Sequence, residues 1–211
     1  MKPATPRQRA RRMTAAERKQ QIVEVTMDLV AKNGVQAATT SRIAAAAGVS
    51  EATLYRHFTS RREMLLAAMD LVYERVFRVI HSAESENAFE RLRGIGRYHS
   101  GIIGDDREGF VYPLFEFVAA PPDAGLRTPL GERQRAAIDS LCAIIEEGKA
   151  QGLVRPQTDS AQVAWELVAV YWAQDVSYLM GLDEYASGAR GQQMLDRILE
   201  SIARPPEARD R

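Results

Sequence analysis

Apolar residues recur at helical spacing along most of this chain. Ile22, Val25, Leu29 and Val30 share one face of a 3.6-residue repeat. Thr14-Ala-Ala-Glu17 precedes them as a capping box, in which a hydroxyl and a carboxylate satisfy amides of the first turn, and Asn33-Gly34 supplies the stop. Thr40 stands to cap a second, short helix reaching Ala47, with Ile43 and Ala44 turned inward and Gly48 at a sharp turn. Ser50 caps a third helix over roughly 51–57. Ser60-Arg-Arg-Glu63 forms a second capping box and opens a long fourth helix carrying Met64, Leu65, Ala68, Leu71, Val72, Val76 and Ile80. Further helices are predicted at about 86–103, 107–119, 129–152, 159–182 and 189–203, punctuated by Pro121-Pro122, Gly152, Pro156, Gly181 and Gly188. Pro113 predicts an irregularity inside the 107–119 segment.

The pattern gives an all-α fold of about nine helices. Val-Thr-Ile runs at strand spacing are scarce, and 45% hydrophobic residues in 211 suffice for real cores. Four parts are expected: a disordered basic arm (1–13), a helix-turn-helix unit (14–60), a larger helical unit (61–204) and a disordered tail (205–211). The net charge of zero divides sharply along the chain, since residues 1–62 carry +8 and the remainder −8. A basic start suits a polyanion, because Lys and Arg neutralising phosphates supply most of non-specific DNA affinity. Cys142 is the single cysteine, so it builds no intrachain disulfide and reads as a buried filler. The basic start lacks the apolar stretch of a secretory signal, and Glu166, Gln174 and Asp175 break the apolar region from Val163 to Met180. A cytoplasmic location, with no membrane contact, follows as an expectation.

A helix-turn-helix needs a small residue where its helices nearly touch, a glycine able to take positive φ in the turn, and apolar residues locking the second helix across the first. In the segment from Thr40 to Phe58, Ala44 is the contact residue and Gly48 the turn. Ile43, Ala47, Val49, Leu54 and Phe58 form the locking set. This leaves Ser50, Glu51, Ala52, Thr53, Tyr55, Arg56 and His57 exposed on the third helix. Hydroxyls and a cation bind phosphate, while Arg, Thr and Ala reach guanine edges or thymine methyls in the major groove.

The run Thr39-Thr-Ser-Arg-Ile-Ala, through Gly48-Val-Ser to Thr53-Leu-Tyr-Arg-His-Phe58 and Ser60-Arg-Arg-Glu-Met-Leu65, resembles the DNA-binding domain of the TetR/AcrR family of bacterial regulators. The resemblance is specific over about 17–66 and beyond that rests on length and helix count. It implies a three-helix DNA-binding domain, a fourth helix leading into a ligand-binding and dimerisation domain, and a two-fold dimer on a palindromic operator. It also implies that Thr40, Thr53, Tyr55, His57 and Arg61 touch phosphates, with Ser50, Glu51, Ala52 and Arg56 nearest the bases. Arg42 is a further candidate, with a solvated surface charge as the plainer role. Arg61 stands where family members commonly have Lys. Glu51 is unusual, since a carboxylate near DNA is costly unless it accepts from a cytosine amino group or pairs with an Arg. The basic arm offers Arg7, Arg9, Arg11 and Arg12 to a minor groove, or serves only as a solubilising tail.

The last two helical patterns are the candidate dimer interface: Val163, Leu167, Val170, Tyr171 and Tyr178, then Met194, Leu195, Ile198, Leu199 and Ile202. Completion of the monomer core is the alternative. Aromatics near isolated polar groups, including Phe110 and Tyr171, crowd the middle of the chain, and His99, Tyr112, Glu116, Trp165 and Trp172 are the candidate ligand-binding residues for a largely apolar effector. No cofactor or metal is expected. An enzyme finds no support, because Gly-rich phosphate loops, His-Glu-x-x-His pairs and Gly-x-Ser-x-Gly elbows are all missing and His57, His81 and His99 are scattered. The expected function is therefore a DNA-binding regulator, most simply a repressor released by a small molecule. A DNA-bound scaffold with a protein partner is the alternative, distinguished by a filled core in place of a cavity.

Overall fold

The computed structural model describes residues 13–83, 85–105, 107–186 and 188–205, with side chains left out over 102–110. The basic arm, apart from Met13, lies outside the described residues, as does the tail beyond Pro205 and the side chain of Phe110. Among the described residues the secondary structure is helical, with one isolated antiparallel bridge between Val154 and Ala203. The helices are α1 (Ala15–Ala37), α2 (Thr40–Ala47), α3 (Glu51–Leu54), α4 (Arg61–Ile80), α5 (Ala88–Asp105), α6 (Arg107–Val118), α7 (Arg127–Ala150), α8 (Ser160–Leu179), α9 (Asp183–Ala186) and α10 (Gly188–Ile202). The tenth helix relative to expectation is α9, a single turn.

Local chemistry explains most boundaries. Thr14 Oγ1 accepts from Glu17 N at 3.2 Å, and Glu17 Oε2 accepts from Thr14 N at 2.7 Å, closing the expected box at the start of α1. Gly34 takes φ 80°, so the regular helix is interrupted where Asn33-Gly34 predicts a stop. Asn87 Oδ1 caps α5 through Glu90 N, and Asp159 Oδ1 caps α8 through the amides of Ala161 and Gln162, both at 3.0 Å. Pro113 sits inside α6, which continues from Arg107 to Val118, so the helix passes through the proline that was expected to disturb it. A proline removes a single backbone donor, and the Pro113 ring is buried among packed neighbours that hold the helix together.

Two hydrophobic clusters organise the chain. The first joins α1 to α4 and extends to Val111, Leu114 and Phe117 of α6 and to Leu126. The second joins the far end of α4 to α5, α7, α8 and α10. Packing thus runs continuously past residue 60, because α6 lies along α1 while α4 contributes to both clusters. Cys142 is half-buried at the edge of the second cluster, not enclosed by it.

Most residues expected at a dimer face serve this monomer core. Val163, Leu167, Val170, Leu195, Leu199 and Ile202 are buried, while Met194 is exposed. The exposed stripe of α8 instead comprises Trp165, Ala169, Ala173 and Val176, continued by Met180 at its C-cap, at helical spacings of three or four residues. The apolar pattern of α8 was legible, but both of its faces are apolar, and the pattern alone does not say which one the monomer uses.

Candidate functional site

The helix-turn-helix is built from caps and small residues. Thr39, not Thr40, is the N-cap of α2 and accepts from Arg42 N at 3.4 Å; Thr40 is the first helical residue. Both threonines can cap, and the extended backbone falls at the earlier one (ψ 157° at Thr39). Gly48 adopts φ 65°, ψ 35° and donates to the carbonyls of Ala44 and Ala45, ending α2 in the left-handed conformation that favours glycine. Ser50 Oγ then accepts from Thr53 N at 3.2 Å to start α3. Regular α-helix lasts only to Leu54. Arg56 N bonds Thr53 O and His57 N bonds Leu54 O, so the last turn is tighter than the expected 51–57 helix.

Ile43, Ala44, Ala47, Leu54 and Phe58 are buried and Val49 half-buried, which anchors α3 across α2. Ser50, Glu51, Ala52, Tyr55 and Arg56 are exposed on one surface, with Thr53 and His57 half-buried beside them. Arg56 Nη2 donates to Thr53 Oγ1 at 2.9 Å, which aligns the guanidinium along α3. Exposed Arg42 is held by Asn33 Oδ1 (3.1 Å) and Ala37 O (3.3 Å), and Thr40 is half-buried.

Arg61 has a different setting. Its Nε donates to Ala38 O at 2.7 Å and its Nη2 to Val35 O, so the guanidinium is occupied by the turn between α1 and α2. Sequence reasoning assigned Arg62 nothing, yet it donates twice to Gly125 O, at 2.9 and 3.2 Å, tying the start of α4 to the loop before α7. At the same end of α4, Ser60 Oγ accepts from Glu63 N at 3.1 Å. The Glu63 carboxylate accepts from the backbone and hydroxyl of Thr59 at 2.6 and 2.8 Å, one residue before the expected partner. Those bonds hold the Glu63 carboxyl below its ordinary range.

The second feature is a partly open cavity of about 60 Å³ lined by side chains of α4, α5, α6, α7 and α8. Of the five candidate ligand residues, His99 and Trp172 line it. The other three lie elsewhere. Tyr112 is largely exposed and meets Tyr178 edge to face at 6.0 Å. Trp165 is 47% exposed on the outer stripe of α8, 6.4 Å from the ring of Trp172. Glu116 lies against α1, its Oε2 2.9 Å from where a Cβ on Gly34 would stand, so a side chain there would meet both strain and a clash. Aromatic density marked the neighbourhood, but helical phase decides which side chains face inward.

Of the polar pole of the cavity, His99 was expected, while Asp175 was missed and Tyr171 was named among the aromatics but not as a ligand residue. Tyr171 and Asp175 lie one turn apart on α8 and face His99 of α5. A Tyr and an Asp spaced i, i+4 on a largely apolar helix were the available signal. Burial pushes the Tyr171 phenol well above its ordinary range. Tyr73 and Gln134, also missed, form a 3.0 Å bond beside the cavity, and burial pushes the Tyr73 phenol up to about 12. Among the described residues no cluster of three His, Cys, Asp or Glu is placed to hold a metal, and no helix is long and apolar enough to cross a membrane.

An exposed, capped reader helix on a chain whose described residues are mostly helical points to the class: a DNA-binding transcriptional regulator. Residues 22–68 match the family model described as bacterial regulatory proteins, tetR family. The chain is 26% identical to the HTH-type transcriptional repressor KstR2 of Mycolicibacterium smegmatis, over 96% of each protein. It is 21% identical to the fatty acid metabolism regulator protein of Bacillus subtilis, over 86% of this chain and 94% of that one. Its fold is similar to a crystal structure of a TetR-family transcriptional regulator from Rhodococcus sp., with TM-score 0.75 and 21% identity over 88% of this chain and 98% of the other. The family match thus covers the helix-turn-helix part of the chain, and the similarity of fold extends over most of the rest.

Proposed function

We propose that this regulator is a repressor that binds a palindromic operator as a homodimer and is released by a small, largely apolar molecule. The observation that carries the reading is α4, one continuous helix that begins beside the helix-turn-helix at Arg61 and forms a wall of the cavity with Val76, Val79 and Ile80. The cavity is narrow, so an effector that fills it presses on the helices around it, and movement of α4 there reaches the reader through the Arg61 bonds to Val35 and Ala38. Relatives named for fatty acid metabolism and ketosteroid regulation support an apolar effector.

In this reading Ser50, Glu51, Ala52 and Arg56 face the bases, while Thr40, Thr53, Tyr55 and His57 contact phosphates. Arg42 adds charge at the edge. Arg61 holds the turn between α1 and α2 in the register that phosphate contacts require. The exposed apolar stripe of α8, with Met194 of α10, pairs with its copy and sets the half-site separation. The cavity favours a small-molecule effector over the scaffold alternative, which calls for a filled core.

Selection of bound duplexes from a random pool tests the assignment. Enrichment of one inverted repeat, bound at least a thousandfold more tightly than random DNA on the order-of-magnitude scale of such proteins, is expected. Retention of random DNA alone, with weak salt-sensitive binding, would overturn it.

A further inference from the structure

The cavity has an apolar wall and one polar pole. Val79, Ile95, Leu114 and Val168 contribute to the wall, and His99, Tyr171 and Asp175 make the pole. His99 Nε2 lies 3.3 Å from Asp175 Oδ1, and the two residues are only 5% and 2% exposed. The rings of His99 and Tyr171 stand 4.8 Å apart. His99 Nδ1, the Tyr171 hydroxyl and Asp175 Oδ1, all shut off from solvent, have no hydrogen-bond partner in the protein, although Asp175 Oδ1 approaches His99 Nε2. Buried polar atoms left in this way are costly and uncommon, so they call for an explanation. Gln134, the other polar group lining the cavity, is already engaged by Tyr73, and no Lys or Arg lines the wall.

Two of these atoms, His99 Nδ1 and the Tyr171 hydroxyl, are complementary, and Asp175 Oδ1 faces the other nitrogen of His99. With Nε2–H turned to the Asp175 carboxylate, Nδ1 is an acceptor, while the Tyr171 hydroxyl offers a hydrogen. One neutral group answers both. We propose that this pole selects an apolar molecule ending in a hydroxyl, an alcohol or a phenol, whose oxygen accepts from Tyr171 and whose hydrogen goes to His99 Nδ1. Asp175 acts through His99 by fixing its tautomer. A ketone accepts from Tyr171 but leaves Nδ1 unmet. A carboxylate brings a second anion beside Asp175 and a lone pair with no cation in the wall to answer it. An ammonium group must leave its full hydration for a hydrocarbon cavity in which His99 already faces Asp175.

The inference rests on the cavity being the effector site, and its test separates the two ideas. Butylbenzene, 4-butylphenol, 4-butylbenzoic acid and 4-butylbenzylamine share one apolar body and differ in the head. Calorimetric titration of the full chain is expected to show 4-butylphenol binding about tenfold more tightly than butylbenzene, equivalent to about one hydrogen bond. Tyr171→Phe, which deletes one oxygen and keeps the packing, is expected to abolish that preference while butylbenzene still binds. Tightest binding by the acid or the amine, or a phenol preference that survives Tyr171→Phe, would overturn the hydroxyl assignment. Butylbenzene binding without any phenol advantage would overturn it too while leaving the cavity reading intact. Failure of all four to bind would remove both.

Discussion

The reader helix and the cavity are opposite solutions to placing polar groups. On α3 the chemistry faces outward: Glu51, Tyr55 and Arg56 are exposed, and every cap that shapes the turn comes from within a few residues. In the cavity the chemistry faces inward, and His99, Gln134, Tyr171 and Asp175 come from three helices far apart in the chain. A surface reader can change a side chain with little effect on stability. A buried pole is bound to packing, and each of its polar atoms needs a partner. The proposed DNA recognition therefore lies in a short contiguous stretch, while the proposed effector recognition is a property of the assembled bundle.

Substitutions can break this comparison at different depths. Leu54→Ala has the largest expected effect, because Leu54 is fully buried under α3. It should lower stability by about 2–5 kcal/mol, measured by denaturant unfolding, and abolish operator binding. Arg56→Ala comes next. It should cost about 1–3 kcal/mol of discrimination between operator and mismatched DNA in competition titrations, leaving unfolding and cavity-ligand affinity unchanged. Loss of ligand affinity in this variant would show that the two regions are not separable in the way described.

Glu63 gives the smallest effect and sharpens the link between the regions. Its carboxyl is held below its ordinary value of 4.5 by bonds from Thr59. The ionised form is thus favoured on folding, and its contribution is present above about pH 4.5 and lost as pH falls through the lower folded value. Glu63→Gln should cost at most about 1 kcal/mol near neutral pH and flatten this part of the acid limb, as read by thermal unfolding at several pH values.

How much was legible follows the same division. The turn glycine, both capping boxes and the locking set of α2 and α3 could be read because each is a local pattern with a local cause. Errors there were of one residue, as with Thr39 in place of Thr40, or of one turn, as at the end of α3. Farther along, helices were legible but their phase was not. On α8 nearly every position is apolar, so Tyr171 was assigned to an interface and Trp165 to a pocket, whereas Tyr171 lines the cavity and Trp165 is exposed. Arg61 shows a further limit: its charge and place suited phosphate, but its carbonyl partners lie more than twenty residues away and only the folded chain brings them together.

The central claim is that two reader helices are held at a fixed separation by the dimer. The most direct measurement is anisotropy titration of the selected inverted repeat beside a version with about five base pairs, half a helical turn, inserted between its half-sites. The account predicts that the insertion turns one half-site to the opposite side of the duplex and lowers affinity at least a hundredfold on an order-of-magnitude basis, toward that of random DNA. Equal affinity for the two duplexes would contradict it.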